Sequence, residues 1–542
     1  MIYFFSFITA LFVSLVMIPP LMSLSRRVGL VDVPNARKVH MVDVPLCGGI
    51  AIAIGTLLPL LMWGPLDRTI ASYIVGAAVI IVLGIWDDAK PLNYRWKFAG
   101  QLIAVGCVMY GGVVFNHLPF WGLDPAPLWL TVPITVLFLL GVTNAVNLFD
   151  GLDGLAGGCI ILTLSVIAIL AYEVDGFVSV LIALAAMGSV CGFLRYNTHP
   201  ASVFMGDAGS QFLGFTAAVL SILLIERVHP ALNPALPLLL LGLPLFDTLM
   251  VMAQRIAAGR SPFKPDRTHL HHKLLSLGFR QWEAVTLIYI VQGIMVGAAL
   301  ALRYASDAAV IVAFFLIAAI IAIPLYTLKA VGWRLHAPPN NNGAFVERRN
   351  LWLRRWTWLP EGSTAFVRYT LCATLLLGAM IPIPIATDFS VLALGAAGFS
   401  VAMLILYQRR RPVTLRFAVY LGAAVVAYLI ASWHASLPGL GNYIAFYLAI
   451  LCVSLAVAIR VTRRDLFSVT PQDLLILFIA VAVPNLSGDA LAQYNVGQVA
   501  IVFVVLLYGS EFLMRRDERG RWLLSMSAIL SLCIVGVRPL LS

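Results

Sequence analysis

Three histidines fall within four positions, His269, His271 and His272, in the stretch RSPFKPDRTHLHHKL from Arg260 to Leu274. Arg260, Lys264, Arg267 and Lys273 surround them. Imidazoles and cations at this density suit an anion or the hydroxyls of a sugar. Zinc fits poorly, because the spacing is not HExxH and no cysteine joins the cluster. Four acidic groups complete the inventory. Asp87 and Asp88 are followed within ten residues by Lys90, Arg95 and Lys97. Carboxylates beside cations suit a site that holds a metal ion and phosphates together. In NLFDGLDGLAGG, Asp150 and Asp153 are three apart and share a face if the segment is helical. Gly151, Gly154, Gly157 and Gly158 permit close approach of backbone or ligand. Asn144 and Asn147 repeat the three-residue spacing and could donate to a nucleobase or a phosphate. In VFMGDAGS, Asp207 precedes an apolar run, where a carboxylate could ligate Mg²⁺ while the helix start accepts a phosphate. Each group also has a plainer reading as a helix cap, a polar turn or a solvated basic loop. Asp247, inside an apolar run, is either functional or a hydrogen-bond partner of a neighbouring helix.

The elements that must position these residues are membrane helices. The chain has 542 residues, 61% hydrophobic and only 11% charged, with a mean hydropathy of +0.94. No soluble domain of this length hides so much apolar side chain. The apolar runs have the length of roughly 20 residues that a bilayer core demands. A transmembrane β-barrel would instead show short alternating segments. The fold class is therefore all-α and polytopic. Spans are expected at about 2–22, 46–64, 70–86, 98–116, 127–146, 154–173, 177–194, 211–226, 235–254, 283–302 and 308–327. About seven more follow, at 367–386, 388–408, 417–434, 442–460, 471–486, 495–514 and 521–537. The first span reads as an uncleaved helix, since no basic n-region or cleavage site accompanies it.

The seven cysteines are scattered without CxxC spacing, which argues against a disulfide framework or a zinc site. The net charge of +11 is read as cytoplasmic loop charge, not as nucleic-acid binding. Lys and Arg concentrate in the loops after odd-numbered spans, which assigns those loops to the cytoplasm. Every acidic and histidine motif falls on that same side. Three modules result: a membrane-embedded core over 1–330, a basic Pro/Asn-rich cytoplasmic linker over 331–366, and a further transmembrane module over 367–542. Hard metal-binding carboxylates, phosphate-binding cations and sugar-type hydrogen bonders at a membrane surface imply phosphoryl transfer from a soluble donor to a lipid.

The motifs DD, NLFDGLDG, VFMGDAGS and RxxxGxSPFxPDxxHLHH, in that order, resemble the polyprenyl-phosphate N-acetylhexosamine-1-phosphate transferases, and the resemblance covers about 1–330. It implies transfer of N-acetylhexosamine-1-phosphate, GlcNAc-1-phosphate first, from a UDP-sugar to undecaprenyl phosphate, with UMP released and Mg²⁺ (or Mn²⁺) as cofactor. It also implies an active site on the cytoplasmic face of a bacterial inner membrane and a role in starting a cell-envelope polysaccharide such as O-antigen. By motif, Asp207 is the principal metal ligand, with Asp88 and Asp150 in the metal set. Asp87 is the base for the lipid phosphate. Asn147, Asp150 and Asp153 bind the nucleoside and diphosphate, with Asn144 beside them. Lys97 and Asn197 are polar site residues, Phe204 stacks on uracil, and Arg267, His269, His271 and His272 close over the donor. The module after residue 367 lies outside the resemblance; homodimer formation or contact with later glycan-assembly enzymes are open roles for it. The rival reading is a transporter or flippase of lipid-linked sugar, which requires ionisable residues along the span interiors.

Overall fold

In a bilayer every backbone N–H and C=O needs a partner within the chain, so apolar runs of this length fold as helices. The computed structural model describes residues 2–33, 43–120, 125–259, 261, 268–335, 358–385, 387–406, 411–436, 440–461, 496–516 and 518–541. Among them, ten helices are long and apolar enough to cross a membrane, and four further apolar helices are shorter. The described residues up to 335 belong to one compact unit and those from 358 onward to a second.

The first unit carries α1 (Ile2–Val28), α2 (Gly48–Trp63), α3 (Arg68–Ala89), α4 (Tyr94–Tyr110), α5 (Leu128–Phe149), α6 (Leu155–Tyr172) and α7 (Phe177–Asn197). It continues with α8 (Gly206–Leu223), α9 (Pro237–Leu240), α10 (Gly242–Ala257), α11 (Leu270–Ser276), α12 (Gln281–Ala301) and α13 (Asp307–Ala330). A two-residue hairpin pairs β1 (Val31–Asp32) with β2 (Val44–Pro45), antiparallel, Val31 opposite Pro45. The axis of the unit is α8, continued by a π-helical turn (Leu224–Val228) and buried from Ala208 to Ile225. It packs against α2, α3, α5 and α6.

Small residues allow that packing. A Cβ on Gly49 would lie 2.2 Å from the backbone N of Gly209, and one on Gly84 would lie 2.3 Å from Cα of Ala208. The expected span over 235–254 is broken between α9 and α10. Gly242 opens the second piece and Pro244 sits in its first turn, where a missing N–H costs nothing. Gln292 of α12 closes the gap: Nε2 donates to Leu240 O at 3.0 Å, and Oε1 accepts from Leu243 N at 3.3 Å. A fully buried amide thus serves both sides of the break, with Thr163 Oγ1 also donating to Leu240 O at 2.7 Å.

The second unit carries α14 (Trp358–Ala379), α15 (Thr387–Leu406), α16 (Arg411–Ser436), α17 (Leu440–Val461), α18 (Val496–Arg516) and α19 (Glu518–Leu541). α14 starts inside the stretch expected as linker, and the span expected over 471–486 lies outside the described residues. Half-buried charges are held there: Glu511 meets Arg416 Nη2 at 3.3 Å and accepts from Tyr420 Oη at 2.5 Å. Arg538 donates to Ala379 O at 3.1 Å and Ile383 O at 2.9 Å, closing the end of α14.

Candidate active site

One end of the first unit gathers the chemistry. Asp87 and Asp88 end α3, Lys97 sits in the first turns of α4, Asn147 in the last turn of α5, and Asp150 just beyond it. Asp153 precedes α6, Asn197 ends α7 and Asp207 opens α8. These ends border a cavity of 710 Å³, a volume suited to a nucleotide-sized ligand. Asp87, Asp88, Asn147, Asp150, Asp153, Asn197, Phe204, Asp207, His271 and His272 all line it, as do Asp32 and Gln281, which sequence reasoning did not assign.

Asp207 is the best-held carboxylate. Lys97 Nζ donates to its Oδ2 and, at 2.9 Å, to Oδ2 of Asp87. Asn147 Nδ2 donates to Asp207 Oδ1 at 2.9 Å and to Ser210 Oγ at 2.8 Å. Gln211 Nε2 reaches Oδ2 at 3.4 Å. Behind it, Gln101 Nε2 donates to Gln211 Oε1 at 2.8 Å, and Asn144 Nδ2 donates to Gln101 Oε1 at 2.8 Å. Gln101 and Gln211 escaped the sequence reading; the available signal was a glutamine in each of two otherwise apolar runs.

The segment before α8 is fixed from several sides. Gly48 N donates to Phe204 O at 2.9 Å, Gly49 N to Met205 O at 3.0 Å, and Phe204 N to Pro45 O at 3.0 Å. Asp88 Oδ1 accepts from Asp207 N at 2.7 Å, and Oδ2 from Ala208 N at 3.2 Å. Asn197 Nδ2 donates to Val203 O at 2.8 Å, while its Oδ1 accepts from Gly154 N at 2.8 Å. Gly154 takes φ +78° there, a conformation that favours glycine, and its carbonyl accepts from Tyr289 Oη at 2.6 Å. Asp153 accepts from Ala201 N at 3.1 Å and pairs with His199 Nδ1 at 2.7 Å. Asn197 and Asp153, expected at substrate, therefore each hold backbone as well as lining the cavity.

The histidines divide. His271 and His272 reach the cavity, with ring centroids 4.2 Å apart. His269 does not line it: Nδ1 lies 2.8 Å from Asp247 Oδ2, and both groups are buried. Asn144 is also outside the lining, because its amide is spent on Gln101 and on Leu140 O at 2.8 Å. These two were expected at substrate; the structure places them behind the cavity lining, on Asp247 and on Gln101. Arg267 lies outside the described residues, as do Arg260 and Lys264.

Electrostatically, burial first and then the charges of Asp207, Asp153 and Asp88 push the Asp150 carboxyl up to about 7. Among the described residues no hydrogen bond holds that carboxylate. Burial, with His272 beside it, lowers His271 to about 3 and keeps it neutral.

A membrane-embedded bundle with acids, a lysine and histidines converging at one end defines a phosphoryl-transfer enzyme of the bilayer surface. Residues 70–225 match the family described as glycosyl transferase family 4. The chain is 38% identical over 304 residues to the probable undecaprenyl-phosphate N-acetylglucosaminyl 1-phosphate transferase of Bacillus subtilis, covering 56% of this chain and 85% of that protein. It is 33% identical over 304 residues to the decaprenyl-phosphate N-acetylglucosaminephosphotransferase of Mycobacterium leprae, covering 50% and 76%. It is 29% identical over 279 residues to the undecaprenyl-phosphate alpha-N-acetylglucosaminyl 1-phosphate transferase of Yersinia pestis, again 50% and 76%. The chain belongs to this family of polyprenyl-phosphate sugar-1-phosphate transferases and is a multi-pass membrane enzyme.

Proposed function

We propose that the enzyme transfers N-acetylglucosamine-1-phosphate from UDP-N-acetylglucosamine to undecaprenyl phosphate. The products are undecaprenyl-diphospho-N-acetylglucosamine and UMP. The active site then faces the cytoplasm of a bacterial inner membrane, and the product starts a cell-envelope polysaccharide. The observation that carries the reading is Asp207 at the head of buried α8, held by Lys97 and Asn147 and sharing a cavity with Asp150, His271 and His272. The names of the relatives supply acceptor and sugar. The basic loops supply the sidedness.

A lipid phosphate oxygen attacks the sugar-bearing phosphorus of the donor. The new P–O bond forms as the bridging bond to the uridine phosphate breaks, and UMP leaves with the bridging oxygen. Asp87 receives the proton of the acceptor phosphate where one is present. Lys97, positioned between Asp87 and Asp207, neutralises charge as it moves between carboxylates and phosphates. His271 lines the donor pocket as a neutral hydrogen-bonding group with His272 beside it, and Phe204 offers a ring to the base.

Magnesium fits this donor set. It binds through one or two carboxylates, with substrate phosphates and water completing the shell. Among the described residues no cluster of three His, Cys, Asp or Glu forms a closed cage. Asp207 and the unpartnered Asp150 would hold the ion. When bound it neutralises the diphosphate and the developing charge on UMP. The test is purified protein in nanodiscs with undecaprenyl phosphate, Mg²⁺ and a panel of radiolabelled UDP-sugars. Label in the lipid phase from UDP-N-acetylglucosamine, with equal UMP and loss on EDTA, is the expected result. Release of UDP in place of UMP refutes the bond assignment.

A further inference from the structure

We propose that Asp88 is a positioning residue: its carboxylate builds the first turn of α8 and so aims Asp207, without itself holding metal or substrate. The inference deepens the reading above and rests on Asp207 being the metal-holding carboxylate.

Three observations converge. First, both Asp88 oxygens are spent on consecutive backbone donors, Asp207 N at 2.7 Å and Ala208 N at 3.2 Å. Those N–H groups belong to the opening of α8, where no preceding turn supplies an acceptor. A carboxylate meets both needs and also suits the positive end of the helix dipole. The side chain of Met205, the residue before the helix, makes no capping bond, so the cap comes from 119 residues away. Second, the backbone is shaped to admit it. Gly206 has φ +67°, and a Cβ there would lie 2.4 Å from Asp88 Oδ2 and 2.8 Å from its Cγ. The space a side chain would take at residue 206 is the space Asp88 occupies. Third, α3 is locked onto α8 one turn earlier, where a Cβ on Gly84 would meet the Ala208 backbone.

The neighbouring Asp87 behaves differently. Its Oδ1 accepts from Leu92 N at 2.7 Å, in the loop that follows α3, but its Oδ2 goes to Lys97, the cation that also holds Asp207. The adjacent acids of the DD pair thus split: Asp87 belongs to the charged cluster, and Asp88 to the scaffold under it.

The test compares Asp88→Asn, Asp88→Ala, Gly206→Ala and Asp207→Asn in the full-length protein. Mn²⁺ binding is read by electron paramagnetic resonance, and kcat and KM are measured separately. Asp88→Asn keeps an oxygen for the Asp207 N–H, so its Mn²⁺ affinity should stay within about threefold of native. Asp88→Ala should lower affinity or kcat by about 10- to 100-fold, the usual loss when a residue behind a ligand is removed. Its KM for either substrate should move less than kcat. Gly206→Ala removes no ligand, and its kcat should fall with that of Asp88→Ala. If Asp88→Asn loses Mn²⁺ as fully as Asp207→Asn does, Asp88 is a ligand and the proposal is overturned. Native kcat in Gly206→Ala overturns it too. Should Gly206→Ala not fold, the Asn-against-Ala comparison at Asp88 decides alone. If Asp207→Asn keeps native Mn²⁺ affinity, the reading of Asp207 itself fails, and the positioning claim falls with it.

Discussion

Asp247 pins the start of the histidine helix: its Oδ2 lies 2.8 Å from His269 Nδ1, and its Oδ1 accepts from Leu270 N at 2.7 Å. Both side chains are buried, Asp247 at 1% exposure and His269 at 6%. An acid inside an apolar helix is costly unless it is paired, and here each oxygen has a partner. The feature that most favoured a transporter is thereby accounted for as a joint between α10 and α11. Asp247→Ala should free α11, raising the donor KM about tenfold or more, since a hydrogen bond to a charged group contributes roughly 1.5–3 kcal/mol. Mn²⁺ affinity should not change. Steady-state kinetics with varied UDP-sugar checks this; an unchanged donor KM would falsify the role of the joint.

Much of this architecture was readable from composition. Each of the eleven apolar runs expected in the first module meets a helix, because hydropathy and length are local properties that the bilayer enforces. The site's location was legible for a related reason. The acidic and histidine motifs all fell after odd-numbered spans, and the structure brings most of them to one end of the unit. Their division of labour was not legible. Asp88, Asn197 and His269 share residue types with ligands, yet they bind backbone or another side chain. That assignment depends on which helix lies 3 Å away across some 20 to 120 residues of sequence, which local spacing does not carry. The break at Leu241 was missed likewise, since the Gln292 that satisfies it comes from a later helix.

Lys97 bridges two carboxylates, and its removal should expose their repulsion. In Lys97→Met, Asp87 and Asp207 lose their shared cation, and turnover should fall by about 100-fold or more, in line with other lost charge-stabilising donors. Lys97→Arg should not restore it, because a planar guanidinium cannot take the place of a compact ammonium between two oxygens. Divalent-ion affinity should hold or rise, since a competing positive charge has gone. Parallel turnover and Mn²⁺ titrations separate these effects, and weaker Mn²⁺ binding in Lys97→Met would contradict the arrangement.

The second unit should be dispensable for chemistry. Every described residue lining the cavity precedes residue 282, and the Bacillus subtilis relative is covered over 85% of its length by 56% of this chain. A chain ending at residue 335 should keep transferase activity within about tenfold of native. The measure is label transfer per mole of folded protein. Complete loss with a monodisperse protein would assign unit two a part in the reaction.

Acid should weaken the protein through His271. Burial lowers this imidazole to about 3, against an ordinary value near 6.5, and its buried Nδ1 has no hydrogen-bond partner among the described residues. The folded protein therefore binds fewer protons here than the unfolded chain does between those two values. Stability is fully present above pH 6.5 and declines as pH falls below it. One pH unit below the ordinary value corresponds to about 1.4 kcal/mol at this residue. His271→Gln has no proton to gain, so its unfolding temperature should fall less than native between pH 7.5 and pH 5.5. Native and variant are compared by thermal unfolding in the same detergent at both pH values. Identical acid sensitivity would mean that His271 is already charged, or reaches solvent, in the folded protein.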